Sequence, residues 1–227
     1  TEREQVIIAN PEQAVFVYSA AQPSPHVRML DRLLVAAEKA AIPSIAIAVN
    51  KIDLDEKAAH DTFSTYEQIG YRVLYVSAEL GTGIEDLRAL LTGKLSVFTG
   101  PSGVGKSSLL NSVQPGLGRA VSHVSAKLTK GRHTTVNAEL IPLDGGGYVA
   151  DTPGVRSIAV WDVEPDELDA YFRDIRPYVV NCKFNDCNHI NEAGCAVRAA
   201  VEAGKIAPQR YDSYLRLRQE LEDQYVY

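Results

Sequence analysis

The sequence predicts an α/β fold, a parallel-rich sheet layered with helices, followed by a small and mostly helical Cys-rich module. Three observations carry this reading. Short β-branched apolar runs alternate with longer amphipathic segments through residue 159, the pattern of strand-helix-strand units. The strand pattern stops after about Ala159, and all three cysteines then fall between Cys182 and Cys195. The natural division is therefore 1–159 and 160–227, within the ordinary size range of one domain with an appendage.

In chain order, Ala14 to Tyr18 reads as a buried strand. After Pro23 and Pro25 interrupt it, Val27, Leu30, Leu34 and Ala41 fall near one face at helical spacing, predicting a crossover helix. Ser44 to Val49, Arg72 to Val76, Lys94 to Thr99 and Tyr148 to Ala150 supply further strands, with helices over Glu56 to Ile69, Ile84 to Leu91 and Lys106 to Val113. A helix near Asp166 to Ile175 leads into the Cys-rich loop. The last helix follows Pro208, with Tyr211, Tyr214, Leu215 and Leu221 as its packing stripe.

Composition is that of a globular protein, with 45% hydrophobic and 23% charged residues. No apolar run approaches the ~18 residues that span a bilayer, so no membrane partner is expected. The opening apolar stretch is broken at Asn10, Pro11, Glu12 and Gln13, which argues against a secretion signal and for a cytoplasmic location. The net charge of -6 hides an asymmetry. From Leu87 to Ala138 there are seven basic residues and no acidic one, whereas the rest of the chain carries 16 basic and 29 acidic groups. Such a block suits phosphate, whether of a nucleotide or of RNA.

Inside that block, residues 100–107 read GPSGVGKS, between the strand LSVFT and a helix. In this phosphate loop the segment from Gly100 through Pro101, Ser102, Gly103, Val104, Gly105 and on to Ser108 can wrap phosphates with its backbone N–H groups, Pro101 alone having none to offer. Lys106 reaches the terminal phosphates, and the Ser107 hydroxyl can coordinate magnesium. NKID at Asn50 to Asp53, where another buried strand ends, selects the base. Asp53 can accept two hydrogen bonds from guanine's ring N–H and exocyclic amine, which adenine cannot offer. Asn50 can secure the loop and the purine N7 edge, and the stem of Lys51 can cover the base. Ser77 and Ala78, after RVLYV, read as the companion loop toward guanine O6. GTP or GDP is the expected ligand, and NKID weighs against an ATP-dependent kinase or ATPase.

DTPG at Asp151 to Gly154 follows the strand YVA. Asp151 can hold magnesium through water, and the Gly154 N–H can sense a γ-phosphate. Asp144 and Gly147 also fit Asp-x-x-Gly, but the glycines between them read as a turn. The polar segment KLTKGRHTT reads as a switch, with Thr135, or failing it Thr134, as the second magnesium hydroxyl.

The guanine-reading motifs precede the phosphate loop, so the site is circularly permuted. NKID, SA, GPSGVGKS, GRHTT and DTPG in this order resemble the circularly permuted GTPases of the ribosome small-subunit-dependent type, over nearly the whole chain including the Cys-rich end. The resemblance implies slow GTP hydrolysis, stimulated by the small ribosomal subunit and its rRNA and used as a late maturation switch. It also implies an oligonucleotide-binding barrel preceding such a domain, which is not among these 227 residues. A monomer is expected. Ras-like enzymes place Gln after the Asp-x-x-Gly element to orient water; here Val155 stands there. His133 is the catalytic candidate, on position beside the threonines and on the resemblance. The alternative is a GTP-regulated ribosome-binding scaffold with negligible turnover.

Cys182, Cys187, His189 and Cys195 fall within one window of 14 residues. Three thiolates and one imidazole complete a tetrahedral zinc shell, leaving no open position for catalysis. One structural zinc is expected, and a γ-phosphate-dependent shift near Gly154 has a short path along the chain toward it.

Overall fold

The computed structural model describes residues 10–118, 140–151 and 163–225. Two compact units emerge: Thr1–Pro25 with Ile42–Ile158, and His26–Ala41 with Ala159–Tyr227.

The first unit is built on a six-stranded sheet of order β3-β2-β1-β4-β6-β5. Its strands are β1 (Gln13–Ser19), β2 (Ser44–Asn50), β3 (Arg72–Tyr75), β4 (Leu95–Thr99), β5 (Leu140–Pro142) and β6 (Tyr148–Asp151). Only the β5–β6 pairing is antiparallel. Strand β1 lies between β2 and β4, and all seven of its residues are buried. That explains its unbroken apolar run, since a central parallel strand is covered on both faces. Buried Gln13 is satisfied by donating to Leu90 O at 3.0 Å and Ser96 Oγ at 2.9 Å.

The expected mostly parallel α/β architecture is present, with element ends within a residue or so of the sequence reading. Strand β5 was not expected. Its three residues end in Pro142, which suits the edge position that β5 holds among the described strands. Helices α2 (Glu56–Gln68), α3 (Ile84–Leu91) and α4 (Lys106–Val113) belong to this unit. Asp55 caps α2 by accepting the Ala58 N–H at 2.9 Å. Leu87, Leu90 and Leu91 of α3 pack with Leu109, Leu110 and Val113 of α4 against Val15, Val17 and Phe98 of the sheet.

Helix α1 (Val27–Lys39) follows β1 and leads to β2, yet it groups with the second unit. The rest of that unit comprises a 3₁₀ helix (Pro165–Tyr171), α5 (Arg176–Val179), α6 (Ala196–Glu202) and α7 (Pro208–Tyr225). The helix expected near Asp166 to Ile175 is present as a 3₁₀ helix that ends at Tyr171. Pro165 opens it, the Glu164 N–H donates to Glu167 Oε1 at 3.0 Å, and Phe172 N closes an i→i+3 bond on Asp169 O at 3.3 Å. Such tight turns hold where side chains on several sides fix them.

Leu168, Phe172, Ile175, Val197, Tyr214, Leu217 and Leu221 form the core of the second unit, with Val35 from α1. Arg210 lies within it, 1% exposed, donating to both Asp174 oxygens at 3.1 and 2.8 Å and to Asp31 Oδ1 at 2.5 Å. A buried guanidinium is tolerated when two carboxylates occupy its fork in this way. Among the described residues no helix is long and apolar enough to cross a membrane.

Candidate nucleotide site and metal cluster

Parallel pairing brings the motifs together. In register, Asn50 at the end of β2 stands beside Ser19, Thr99 at the end of β4 beside Phe16, and Asp151 at the end of β6 beside Phe98. NKID, the phosphate loop and the start of DTPG therefore leave the same carboxyl edge of the sheet. The chain fills β2 and β3 on one side of β1 before crossing to β4 and β6 on the other. Ligands of open α/β sheets bind at the carboxyl edge where the strand order reverses in this way.

The phosphate loop is fixed from three directions. A Cβ on Gly100 would stand 2.1 Å from Val17 O, so only glycine lets the loop leave β4 against β1. Val104, 1% exposed, anchors the loop in the core. Gly105 has φ 91° and starts α4, and a Cβ there would stand 2.4 Å from Asn50 Nδ2. Lys106 Nζ spans the loop, donating to Gly100 O at 2.6 Å and Pro101 O at 2.8 Å.

The base-reading residues are bonded to this loop and to each other. Asn50 Nδ2 donates to Val104 O at 2.9 Å, and Asn50 Oδ1 accepts the Ala78 N–H at 3.2 Å. Lys51 Nζ donates to Gly103 O at 2.7 Å and to Gln22 O. Ser77 Oγ donates to Asp53 Oδ1 at 2.5 Å and accepts the Leu80 N–H at 3.1 Å. Asn50, Lys51, Asp53, Ser77 and Ala78 are thus brought together with the loop 100–107. Ser108 is exposed on α4. His133, Thr134, Thr135, Gly154 and Val155 lie outside the described residues. The contact of the Ser19–Pro25 segment with this site was not anticipated, because its prolines signalled only the end of a strand.

In the second unit, ligand atoms of Cys182, Cys187, His189 and Cys195 all lie within 4.8 Å of one another. His189 is fully buried; its Nδ1 faces Cys195 Sγ at 3.4 Å and Cys182 Sγ at 3.6 Å. Its Nε2 meets Asp169 Oδ2 at 3.1 Å. That carboxylate favours the tautomer with hydrogen on Nε2 and the lone pair of Nδ1 toward the sulfurs, the arrangement of a metal-bound imidazole. Burial pushes the Cys187 thiol up to about 12, the neighbouring thiols adding to the rise. Burial also opposes ionisation of Cys182, but the Ala196 and Val197 N–H groups together with Cys187 and His189 hold that thiol below its ordinary value. Three thiols and an imidazole this close, with a carboxylate behind the imidazole, fit a thiophilic tetrahedral cation such as zinc.

Asp169, absent from the sequence reading, is expected to orient His189. Asp169→Asn should weaken zinc retention roughly 10- to 100-fold, measured by competition with a chromogenic chelator. Unchanged retention would remove Asp169 from the site.

The family model described as RsgA GTPase matches residues 1–161. A protein of Gemmatimonas aurantiaca named "Small ribosomal subunit biogenesis GTPase RsgA" is 46% identical over 96% of this chain and 71% of its own length. One of the same name from Moorella thermoacetica is 47% identical over 92% of this chain and 71% of its own. Among solved structures, YjeQ from Thermotoga maritima superposes with a TM-score of 0.81 at 37% identity, covering 97% of this chain and 76% of that one. YloQ, described as a circularly permuted GTPase, gives 0.76 at 35% identity, with 99% and 74% covered.

Proposed function

Because the chain belongs to the RsgA GTPase family, we propose that it binds GTP at the carboxyl edge of the sheet, hydrolyses it to GDP and phosphate, and serves small ribosomal subunit biogenesis in the cytoplasm. The observation that carries this reading is the bonded set of Asn50, Lys51 and Ala78 on the phosphate loop with Asp53 held by Ser77. It joins a guanine reader to a phosphate cradle.

In this reading Asp53 accepts the guanine N1 and exocyclic N–H groups. The Ser77 hydroxyl donating to it fixes the carboxylate plane. Asn50 spends its oxygen and one amide proton on Ala78 and Val104, so its second amide proton is the one that meets N7. The Ala78 segment takes the O6 edge. The loop N–H groups and Lys106 take the phosphates, and Lys106 exchanges loop carbonyls for phosphate oxygens. Magnesium would be held by Ser107, by Asp151 through water and by Thr135. Bound there, it would supply positive charge against the terminal phosphates. The Gly154 N–H completes the γ-phosphate contacts.

Val155 cannot orient an attacking water, so the intrinsic rate is slow and a partner's ordering of the switch sets it. The positive charge carried by the stretch 87–138, apart from Lys106, is what we assign to small-subunit rRNA. His133, on sequence grounds alone, positions the water. His133→Ala is expected to lower stimulated turnover on the order of 100-fold while leaving GTP affinity nearly unchanged. Phosphate release from GTP, measured with isolated small subunits, large subunits and neither, tests the whole proposal. Stimulation by small subunits alone supports it. Turnover that stays negligible throughout, with guanine nucleotide still bound, leaves the scaffold reading that Val155 favours. Equal use of ATP defeats both.

A further inference from the structure

We propose that α1 is a covalent lever by which the metal-bearing unit sets guanine-nucleotide affinity, acting through the Ser19–Pro25 loop; this rests on the GTP-binding reading above.

At one end of the lever is the nucleotide site. After β1 the chain folds on itself, with Ser19 Oγ donating to Pro23 O at 2.6 Å. The Gln22 carbonyl then accepts from Lys51 Nζ, which also holds Gly103 O of the phosphate loop. Pro23 Cδ lies 3.6 Å from where a Gly103 Cβ would stand. The loop thus touches both the residue whose stem covers the base and the phosphate loop itself.

At the other end, α1 belongs chemically to the second unit. Asp31 meets buried Arg210, Arg28 pairs with Asp212 at 3.0 Å, and Arg32 pairs with Glu220. Further along, Glu38 pairs with Arg173 and Lys39 with Glu167. Glu167 and Asp169 share the 3₁₀ helix, and Asp169 meets His189 of the metal cluster. Metal cluster, 3₁₀ helix and α1 are therefore one bonded set.

Only Ser24, Pro25 and His26 separate Pro23 from the first residue of α1. The segment spans at most ~3.6 Å per residue, and Pro25 within it and Pro23 before it remove backbone freedom. His26 makes no side-chain cap bond at the helix start, so the position of α1 is set along its flank. A displacement of α1 within its unit then reaches Gln22 with little slack, and with it the hold on Lys51.

The test is dissociation of a fluorescent GDP from the zinc-loaded 227-residue protein. Arg32 and Glu220 touch neither nucleotide nor metal residues. Arg32→Glu and Glu220→Arg are each expected to speed GDP release about 3- to 10-fold, with zinc content unchanged. The double swap, which restores opposite charges, is expected to return release to the parent rate. Pro23→Gly should speed release directly, and in that background Arg32→Glu should add little. Parent-like rates in both single variants, or full additivity with Pro23→Gly, would overturn the lever alone. A parent protein that holds no GDP would overturn the GTPase reading and the lever with it.

Discussion

Replacing Cys195 by Ser is expected to cost the second unit its metal and most of its cooperative structure, while the first unit still binds guanine nucleotide. Cys195 has two jobs. It is one of the four clustered donors, and as N-cap of α6 it accepts the Arg198 N–H at 3.4 Å. Serine is among the best capping residues, so the substitution keeps the cap and removes the thiolate. Apparent binding energies of structural zinc reach about 10–16 kcal/mol in small modules, far more than the ~1 kcal/mol of a cap. The core of this unit is modest and includes Cys195 itself. Zinc should therefore fall well below one equivalent, the near-ultraviolet signal of Tyr211 and Tyr214 should weaken, and part of the helical signal should melt early. Their hydroxyls reach the metal loop at His189 O and Asn188 O. A variant with parent-like melting and tyrosine signals would show that the cluster contributes no stability. Stripping zinc from the parent with a strong chelator should reproduce the variant, and zinc should then rescue only the parent.

What could be read from the sequence was what is local in the chain. A phosphate loop is one contiguous stretch of backbone between a strand and a helix, so GPSGVGKS carries its chemistry in its spelling. The four clustered donors likewise fall within 14 residues. Strand β1 was legible because burial on both faces leaves no polar alternation. The segment after Pro165 was legible as a helix but not as a 3₁₀ turn, whose marks are Pro165, the capping pair and Asp169's bond to His189. Strand β5 has three residues and a proline, too little for any periodicity. The allegiance of α1 was invisible for a different reason. Lys39 and Glu167 are 128 residues apart, and Arg32 and Glu220 are 188 apart. On the sequence those charges look like the solvated face of a crossover helix. Asp169 was hidden in the same way, as one carboxylate in an acidic segment 20 residues before the histidine it faces.

Gly105→Ala is expected to lower guanine-nucleotide affinity by at least about 100-fold, or ~2.7 kcal/mol, in a protein that still folds. Two effects combine. Gly105 sits at φ 91°, a left-handed conformation costing an L-residue roughly 1–2 kcal/mol. The new Cβ would also stand 2.4 Å from Asn50 Nδ2, and that amide cannot retreat without releasing Val104 O or the Ala78 N–H. The strain therefore falls on the joint between the phosphate cradle and both base-reading loops. Gly103→Ala separates the two effects. Its φ is 81°, but its added Cβ would meet only Pro23 Cδ at 3.6 Å, an ordinary contact. It carries the conformational cost without the clash and should lose about 10-fold. Titration of both variants with fluorescent GDP, beside a thermal melt, reads the difference. Equal losses would mean that backbone strain alone matters and that Asn50 does not couple the loops. A larger loss at Gly105 with similar melting temperatures would place the coupling in the Asn50 amide, which joins the end of β2 to the phosphate loop.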